Sequence, residues 1–203
     1  MPNLRGGGEY GERWHEQGMF DKKQNVFDDF FAAAEYLIAN KYTSPAHFAV
    51  EGASNGGLLM GASIIQRPEL FSAVLCEYPL LDMLRYQKFL VGSYWTTEYG
   101  SSDNEKQFFY LLKYSPYQNV KSGTAYPAVM FFTGDSDTRV DPLHARKMTA
   151  LLQSASSSGR PVLLHYSQAG GHNGGLAVDQ QMQDDADFLS FLWTETAQPR
   201  PGK

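Results

Sequence analysis

The sequence predicts an α/β layer fold, a parallel sheet with helices on both faces. Three observations predict it: short, mostly apolar runs of strand length, amphipathic segments at helical spacing between them, and glycine, proline or small polar residues at most of the joints. Val26, Phe27, Phe30, Phe31, Ala34, Leu37 and Ile38 recur at helical spacing, giving one helix with a broad apolar face. Residues 47–53 are brief, mostly apolar and flanked by Pro45 and Gly52, so they read as a buried strand running into Gly52-Ala53-Ser54-Asn55-Gly56-Gly57. Residues 55–67 then read as a helix. The alternation repeats with a strand at 72–77, helices at 82–91 and 103–113, a strand at 128–134 and a helix at 143–155. A strand at 162–167 and a helix at 178–193 complete it. Apolar strands alternating with helices are the pattern of a parallel sheet buried on both sides.

At 203 residues, 42% apolar and 19% charged, the chain has the composition of one globular domain, expected over residues 1–197. Residues 198–203 read as a disordered tail and 154–159 as a small-residue linker inside the domain. Seventeen Lys plus Arg against 22 Asp plus Glu gives −5, with no basic block, which excludes the electrostatic footprint of a nucleic-acid or anionic-membrane partner. Cys76 is the single cysteine, so no intrachain disulfide forms, and no Cys/His group has metal-ligand spacing. Met1-Pro2-Asn3-Leu4-Arg5 has no signal-peptide core, and no apolar run approaches the roughly 18 residues of a membrane span. The chain as given is expected to be soluble and cytoplasmic.

The chemistry concentrates in three places. Gly52-Ala53-Ser54-Asn55-Gly56 matches Gly-x-Ser-x-Gly at a predicted strand-to-helix turn, where small neighbours permit a strained backbone and the serine Oγ projects above the sheet. The N–H of Asn55, heading the helix, would point where charge develops on a substrate carbonyl oxygen. A serine nucleophile needs a base and an orienting carboxylate, which in the α/β-hydrolase arrangement follow in the order Ser, Asp, His at the ends of later strands. Asp135 and Asp137 both lie in the loop after the 128–134 strand, and the pattern favours neither; either could also cap the helix after Pro142. His172 lies in the glycine-rich loop after the 162–167 strand. Of the other histidines, His47 and His165 fall in predicted strands, His15 is near the amino end and His144 opens a helix.

Five segments together resemble the catalytic domain of the prolyl oligopeptidase family. They are residues 3–11 (Asn-Leu-Arg-Gly-Gly-Gly-Glu-Tyr-Gly), the turn around Ser54, Trp95-Thr96-Thr97-Glu98-Tyr99-Gly100, Lys113-Tyr114-Ser115-Pro116 and Asp137-Thr138-Arg139-Val140. The resemblance runs from Asn3 to about Trp193. It implies Ser54 as nucleophile, His172 as base and Asp137 as the third member, because Asp137 stands two residues before Arg139, which matches a substrate-binding arginine. It also implies that Trp95 stacks on a proline ring before the scissile bond, that Tyr99, Val140 and Leu80 line the wall, and that Arg139 hydrogen-bonds a substrate carbonyl.

The family has a propeller and several sheet strands ahead of the Arg-Gly-Gly-Gly segment, so the resemblance implies an α/β-hydrolase-type sheet lacking its first strands. The tyrosine that supplies the family's second oxyanion donor falls in that portion, leaving the Asn55 N–H. Loss of one such donor costs on the order of 100- to 1,000-fold in turnover. Smaller departures are Ala53, where the family commonly has glycine, and an additional glycine, Gly170 or Gly171, before His172.

The expected function is acyl-enzyme hydrolysis of peptide bonds after proline, with no metal or organic cofactor. Two rivals are a small carboxylesterase acting on short activated esters, and an inactive or binding remnant of the peptidase. The substrate is then a peptide or small ester. A strand at 47–51 with one neighbour missing would expose an edge, predicting a homodimer through it unless the glycine-rich 5–11 segment folds back over that edge.

Overall fold

The computed structural model describes residues 2–172 and 176–197; the expected tail at 198–203 lies outside the described residues. The elements are α1 (Glu12–His15), α2 (Gln24–Ala39), β1 (Ala49–Ala53), α3 (Asn55–Gln66), β2 (Ala73–Glu77), α4 (Thr96–Tyr99), α5 (Glu105–Tyr114), β3 (Ala128–Gly134), α6 (Leu143–Ala155), β4 (Val162–Ser167) and α7 (Val178–Ala197). The four strands are parallel in the order β1-β2-β3-β4, with Ala53 opposite Glu77 and Glu77 opposite Phe132.

The period of two along each strand divides the core. Val74, Cys76, Val129 and Phe131 face a large cluster with Leu58, Met60 and Ile64 of α3 and Met148 and Leu152 of α6. Ala73, Leu75, Ala128 and Met130 face the other way, where Phe188, Phe191 and Leu192 of α7 cover them. Helices therefore lie on both faces, as expected. Each fully buried Leu or Ile side chain in these layers contributes roughly 1.5–3 kcal/mol. Among the described residues no helix is long and apolar enough to cross a membrane.

The helix expected at 82–91 does not form; a short 3-10 turn at Tyr86–Lys88 is its only helical part. The backbone closes separate three-residue turns instead: Arg85 N–H donates to Asp82 O at 3.2 Å, Lys88 N–H to Arg85 O at 2.9 Å and Phe89 N–H to Tyr86 O at 3.2 Å, and Leu90 takes a φ of 46°. Ahead of them the chain is held by side chains, Asp82 N–H and Leu81 N–H pointing to His144 Nδ1 at 3.1 and 3.4 Å and Met83 N–H donating to Ser115 Oγ at 2.8 Å. The expected strand at 47–53 starts later, because Pro45–His47 forms a 3-10 turn, so His47 precedes the strand. The α4 segment and the 3-10 turn before it, Gly92–Trp95, were not foreseen.

β1 lies at the sheet edge, paired through β2 alone among the described residues. The glycine-rich segment does not run along it. Arg5 N–H and Nε donate to Asp29 Oδ2 on α2 at 2.9 and 2.8 Å, and Gly6 N–H donates to Trp14 O at 3.0 Å, which directs the segment toward the α1 side.

Two of the three glycines at the β1-to-α3 turn are needed for space, Gly57 because a Cβ there would stand 2.7 Å from the Pro79 backbone. A Cβ on Gly52 would stand 2.5 Å from Gly56 O, whereas a Cβ on Gly56 would meet nothing within 4 Å. Gly52→Ala is therefore expected to destabilise by about 1–3 kcal/mol. Gly56→Ala, in the first turn of α3, should be neutral or stabilising by up to about 1 kcal/mol. Urea midpoints at unchanged slope check the pair; equal losses at both positions would contradict this account of the turn.

Candidate active site

Ser54 sits between β1 and α3 with φ 59° and ψ −114°, a positive φ combined with a ψ outside the left-handed well. Such a backbone costs on the order of 1–3 kcal/mol and persists only where surroundings hold it. Here Ser54 N–H donates to Glu77 O at 2.8 Å, and Ser54 O accepts from Leu58 N–H at 3.1 Å. The turn lifts Oγ above the carboxyl edge of the sheet.

His172 Nε2 lies 3.1 Å from Ser54 Oγ, and His172 Nδ1 lies 2.8 Å from Asp137 Oδ2. With Nδ1–H donating to the carboxylate, Nε2 is free to accept the serine proton. The other Asp137 oxygen, Oδ1, accepts from Arg139 N–H at 2.8 Å and Val140 N–H at 2.9 Å, so both oxygens of this buried carboxylate are satisfied. Of the two aspartates that pattern left open, Asp137 is the one that meets His172, while Asp135 Oδ1 accepts from the Tyr166 hydroxyl. Neither aspartate caps the helix after Pro142. Pro142 stands at the cap position, and Asp141 Oδ1 just ahead of it accepts from Leu143 N–H at 2.8 Å.

The loops bearing Asp137 and His172 are stitched together. Asp135 N–H donates to Ser167 O at 2.8 Å and Ser136 N–H to Gly170 O at 3.1 Å. A Cβ on Gly134 would stand 2.0 Å from Gly170 O, so only glycine permits this approach. Of the two glycines before His172, Gly170 thus has a place, its carbonyl holding the aspartate loop. Beneath the imidazole lies Tyr78, ring centroids 5.2 Å apart, a contact the sequence reading missed because nothing in an aromatic at φ 44° is legible beforehand.

The Asn55 N–H heads α3 beside Ser54 and makes no hydrogen bond among the described residues. A cavity of about 240 Å³ is lined by Ser54, Asn55, Leu80, Trp95, Tyr99 and Arg139, among others. A second, of about 600 Å³, lies across Trp95 and Arg139 and reaches His172, Val91 and Tyr94. All the expected pocket residues except Val140 line the first. Val140 is 2% exposed and lines neither cavity; its N–H serves Asp137 instead.

Leu80 is placed by the loop whose N–H groups point to His144. Burial lowers His144 to about 4, against the favourable pull of Asp82 and Asp141 and with Lys147 and Arg85 opposing its charge. The neutral ring is what leaves Nδ1 able to accept.

Fold and site together define an α/β-hydrolase domain with a serine, a histidine and an aspartate in one hydrogen-bonded line. Comparison with known proteins makes the class specific. The prolyl oligopeptidase family model matches residues 1–198, and the chain belongs to that family. It is 47% identical over 196 residues to the prolyl endopeptidase of Elizabethkingia miricola, covering 96% of this chain and 28% of that protein. To the prolyl endopeptidase of Dictyostelium discoideum it is 46% identical, covering 95% and 26%. A solved prolyl endopeptidase structure superposes with a TM-score of 0.94 at 49% identity, over 96% of this chain and 29% of that one. Prolyl oligopeptidase B from Galerina marginata, solved with a 35-residue hydrolysis and macrocyclization substrate, gives 0.92 at 37%, over 98% and 28%. The chain thus spans little more than a quarter of the length of these relatives.

The His144 environment makes a pH prediction. Its folded value lies below the ordinary 6.5, so the unfolded chain binds the proton more readily and stability falls as pH drops from about 6.5 toward 4. His144→Asn, which keeps an acceptor without titrating, should lose less stability between pH 7.5 and 4.5 than the parent, by on the order of 1–3 kcal/mol. Identical losses in urea unfolding would remove His144 from the acid response.

Proposed function

We propose that this protein is a serine hydrolase of prolyl oligopeptidase type, cleaving peptide bonds after proline through an acyl-enzyme. The observation that carries the reading is the line from Ser54 Oγ through His172 to Asp137, ending beside a cavity that contains Trp95 and the Asn55 N–H. Ser54 Oγ attacks the substrate carbonyl carbon while His172 Nε2 takes its proton, and the Asn55 N–H donates to the oxygen as it becomes negative. Asp137 holds the imidazole in the accepting tautomer and stabilises the imidazolium. The imidazolium then gives its proton to the leaving amine, and water repeats the sequence to free Ser54. Trp95 offers an aromatic face to a proline ring beside the scissile bond, Leu80 and Tyr99 close the wall, and exposed Arg139 is placed to donate to a substrate carbonyl. Relatives named prolyl endopeptidase support the substrate class.

A second reading, a carboxylesterase for short activated esters, is favoured by the Asn55 N–H being the one free oxyanion donor identified among the described residues. A good leaving group asks less of that site than an amide does. The free edge of β1 supports a further proposal, that a second copy pairs along it, which light scattering tests: an active monomer at low micromolar concentration would contradict it.

Ser54→Ala is expected to reduce hydrolysis of a p-nitrophenyl ester to the uncatalysed background with unchanged circular dichroism, and Asp137→Asn to lower kcat by about 10⁴-fold. Undiminished turnover in Ser54→Ala would end the mechanism. Trp95→Ala should cost about ten- to a hundredfold in kcat/KM on proline-containing peptides and far less on acetyl esters. Equal losses on the two substrates would favour a purely structural Trp95.

A further inference from the structure

The Tyr99 hydroxyl donates to Asn55 Oδ1 at 2.7 Å. Tyr99 is 4% exposed, and Asn55 Oδ1 is the hydroxyl's sole hydrogen-bond partner among the described residues, so losing that acceptor would leave a buried donor unsatisfied. The ring itself is clamped from two sides. Tyr86 meets it edge-on at 5.5 Å and 86°, and Lys23 Nζ lies 5.0 Å from its centroid. Lys23 is buried, which lowers its affinity for the proton, and its charge is matched by Glu98 Oε1 at 3.2 Å. Glu98 Oε2 in turn lies 3.0 Å from His15 Nε2, and His15 Nδ1 lies 2.7 Å from Gly6 O. Gly6, His15, Glu98 and Tyr99 line the same cavity as Ser54 and Asn55, so one continuous wall runs from the glycine-rich segment to the head of α3.

From this geometry we propose that Tyr99 is a positioning residue for the oxyanion-binding N–H of Asn55. The inference rests on the hydrolase reading for its catalytic consequence. An asparagine side chain readily turns back to accept from nearby backbone N–H groups, above all at a helix amino end. Were Asn55 Oδ1 free to do so, it would compete with substrate for the donors of the first turn of α3. The buried hydroxyl engages that oxygen and draws the side chain toward the pocket wall, leaving the Asn55 N–H directed at the reacting carbonyl. Leu58 N–H holds the other end of the same peptide unit through Ser54 O, so the plane is fixed at both sides. Lys23, Glu98 and His15 keep the tyrosine ring from retreating.

The test is a double-mutant cycle of Tyr99→Phe and Asn55→Ala on the ester substrate, with amide NMR alongside. Tyr99→Phe keeps the ring and its packing; it should lower kcat about tenfold, a fraction of the loss expected for a missing oxyanion donor, and leave KM within about twofold. Asn55→Ala, at an exposed position, should disconnect the hydroxyl and lower stability by leaving it unsatisfied, which urea unfolding reads alongside the kinetics; the double variant, which removes both partners, should have a kcat no worse than that of the poorer single one. Multiplying losses, or a change in KM alone, would overturn the proposal and leave Tyr99 as pocket wall only. Independently of turnover, the Asn55 backbone amide should shift and exchange faster in Tyr99→Phe; an unchanged amide overturns the proposal as well. A parent protein without Ser54-dependent hydrolysis would defeat the hydrolase reading, while the amide signal would still decide the clamp.

Discussion

The backbone of Ser54 is held in a conformation it would not choose, and the remainder of the site is arranged around that constraint. Its N–H is fastened to Glu77 O on β2 and its C=O to Leu58 N–H in α3. The neighbouring strand and the following helix therefore hold the peptide units on either side of Ser54, and an unrestrained serine would relax to a negative φ. The sheet register puts Ala53 opposite Glu77, so the strand pairing itself delivers the acceptor. Gly52 lets the helix come close enough for its first turn to meet this peptide unit. The strain is supported by the core layer of α3, where Leu58, Met60 and Ile64 are buried against β1 and β2.

The aspartate and histidine obey a second constraint, that two loops from adjacent strands must meet. Parallel β3 and β4 end on the same side, and the contacts of Asp135 and Ser136 with Ser167 and Gly170 join the loops before any side chain is counted. With the loops joined, the Asp137 carboxylate faces the His172 ring and its second oxygen turns back to its own backbone. Tyr78, Phe132 and Phe188 pack below, with His165 against Phe132 and bonded to Asp184 at 3.0 Å, giving the imidazole a packed aromatic floor. Further along, the acidic groups under this floor repel one another: burial and Glu51 push Glu77 up to about 7.

Much of this was legible in the sequence because it is written in period and order. The four strands were recognisable as short apolar runs between turn residues, and Ser54, Asp137 and His172 each follow a strand in the order the chemistry requires. What escaped depends on partners distant in sequence. Residues 82–91 carry a helical pattern, yet the segment is tied by its start to His144 and Ser115, far along the chain, and closes short i to i+3 turns. Asp135 and Asp137 are equivalent as letters and differ only in which way the loop turns them. Nothing in the pattern singles out Lys23, yet it is 3% exposed and paired with Glu98, 75 residues away. Val140 is apolar in a pocket motif, and its backbone proved the part that reaches the site.

The central claim is that the Ser54 oxygen is chemically activated by His172 within this chain. Labelling of the folded protein with a fluorophosphonate, followed by peptide mass mapping, tests that most directly, since such probes react with an activated serine and spare ordinary hydroxyls. The account predicts one adduct per chain, on the peptide carrying Ser54, and its loss in His172→Ala. Folded protein that remains unlabelled, or a label on another residue, would contradict it and favour a binding remnant that keeps the geometry without the chemistry.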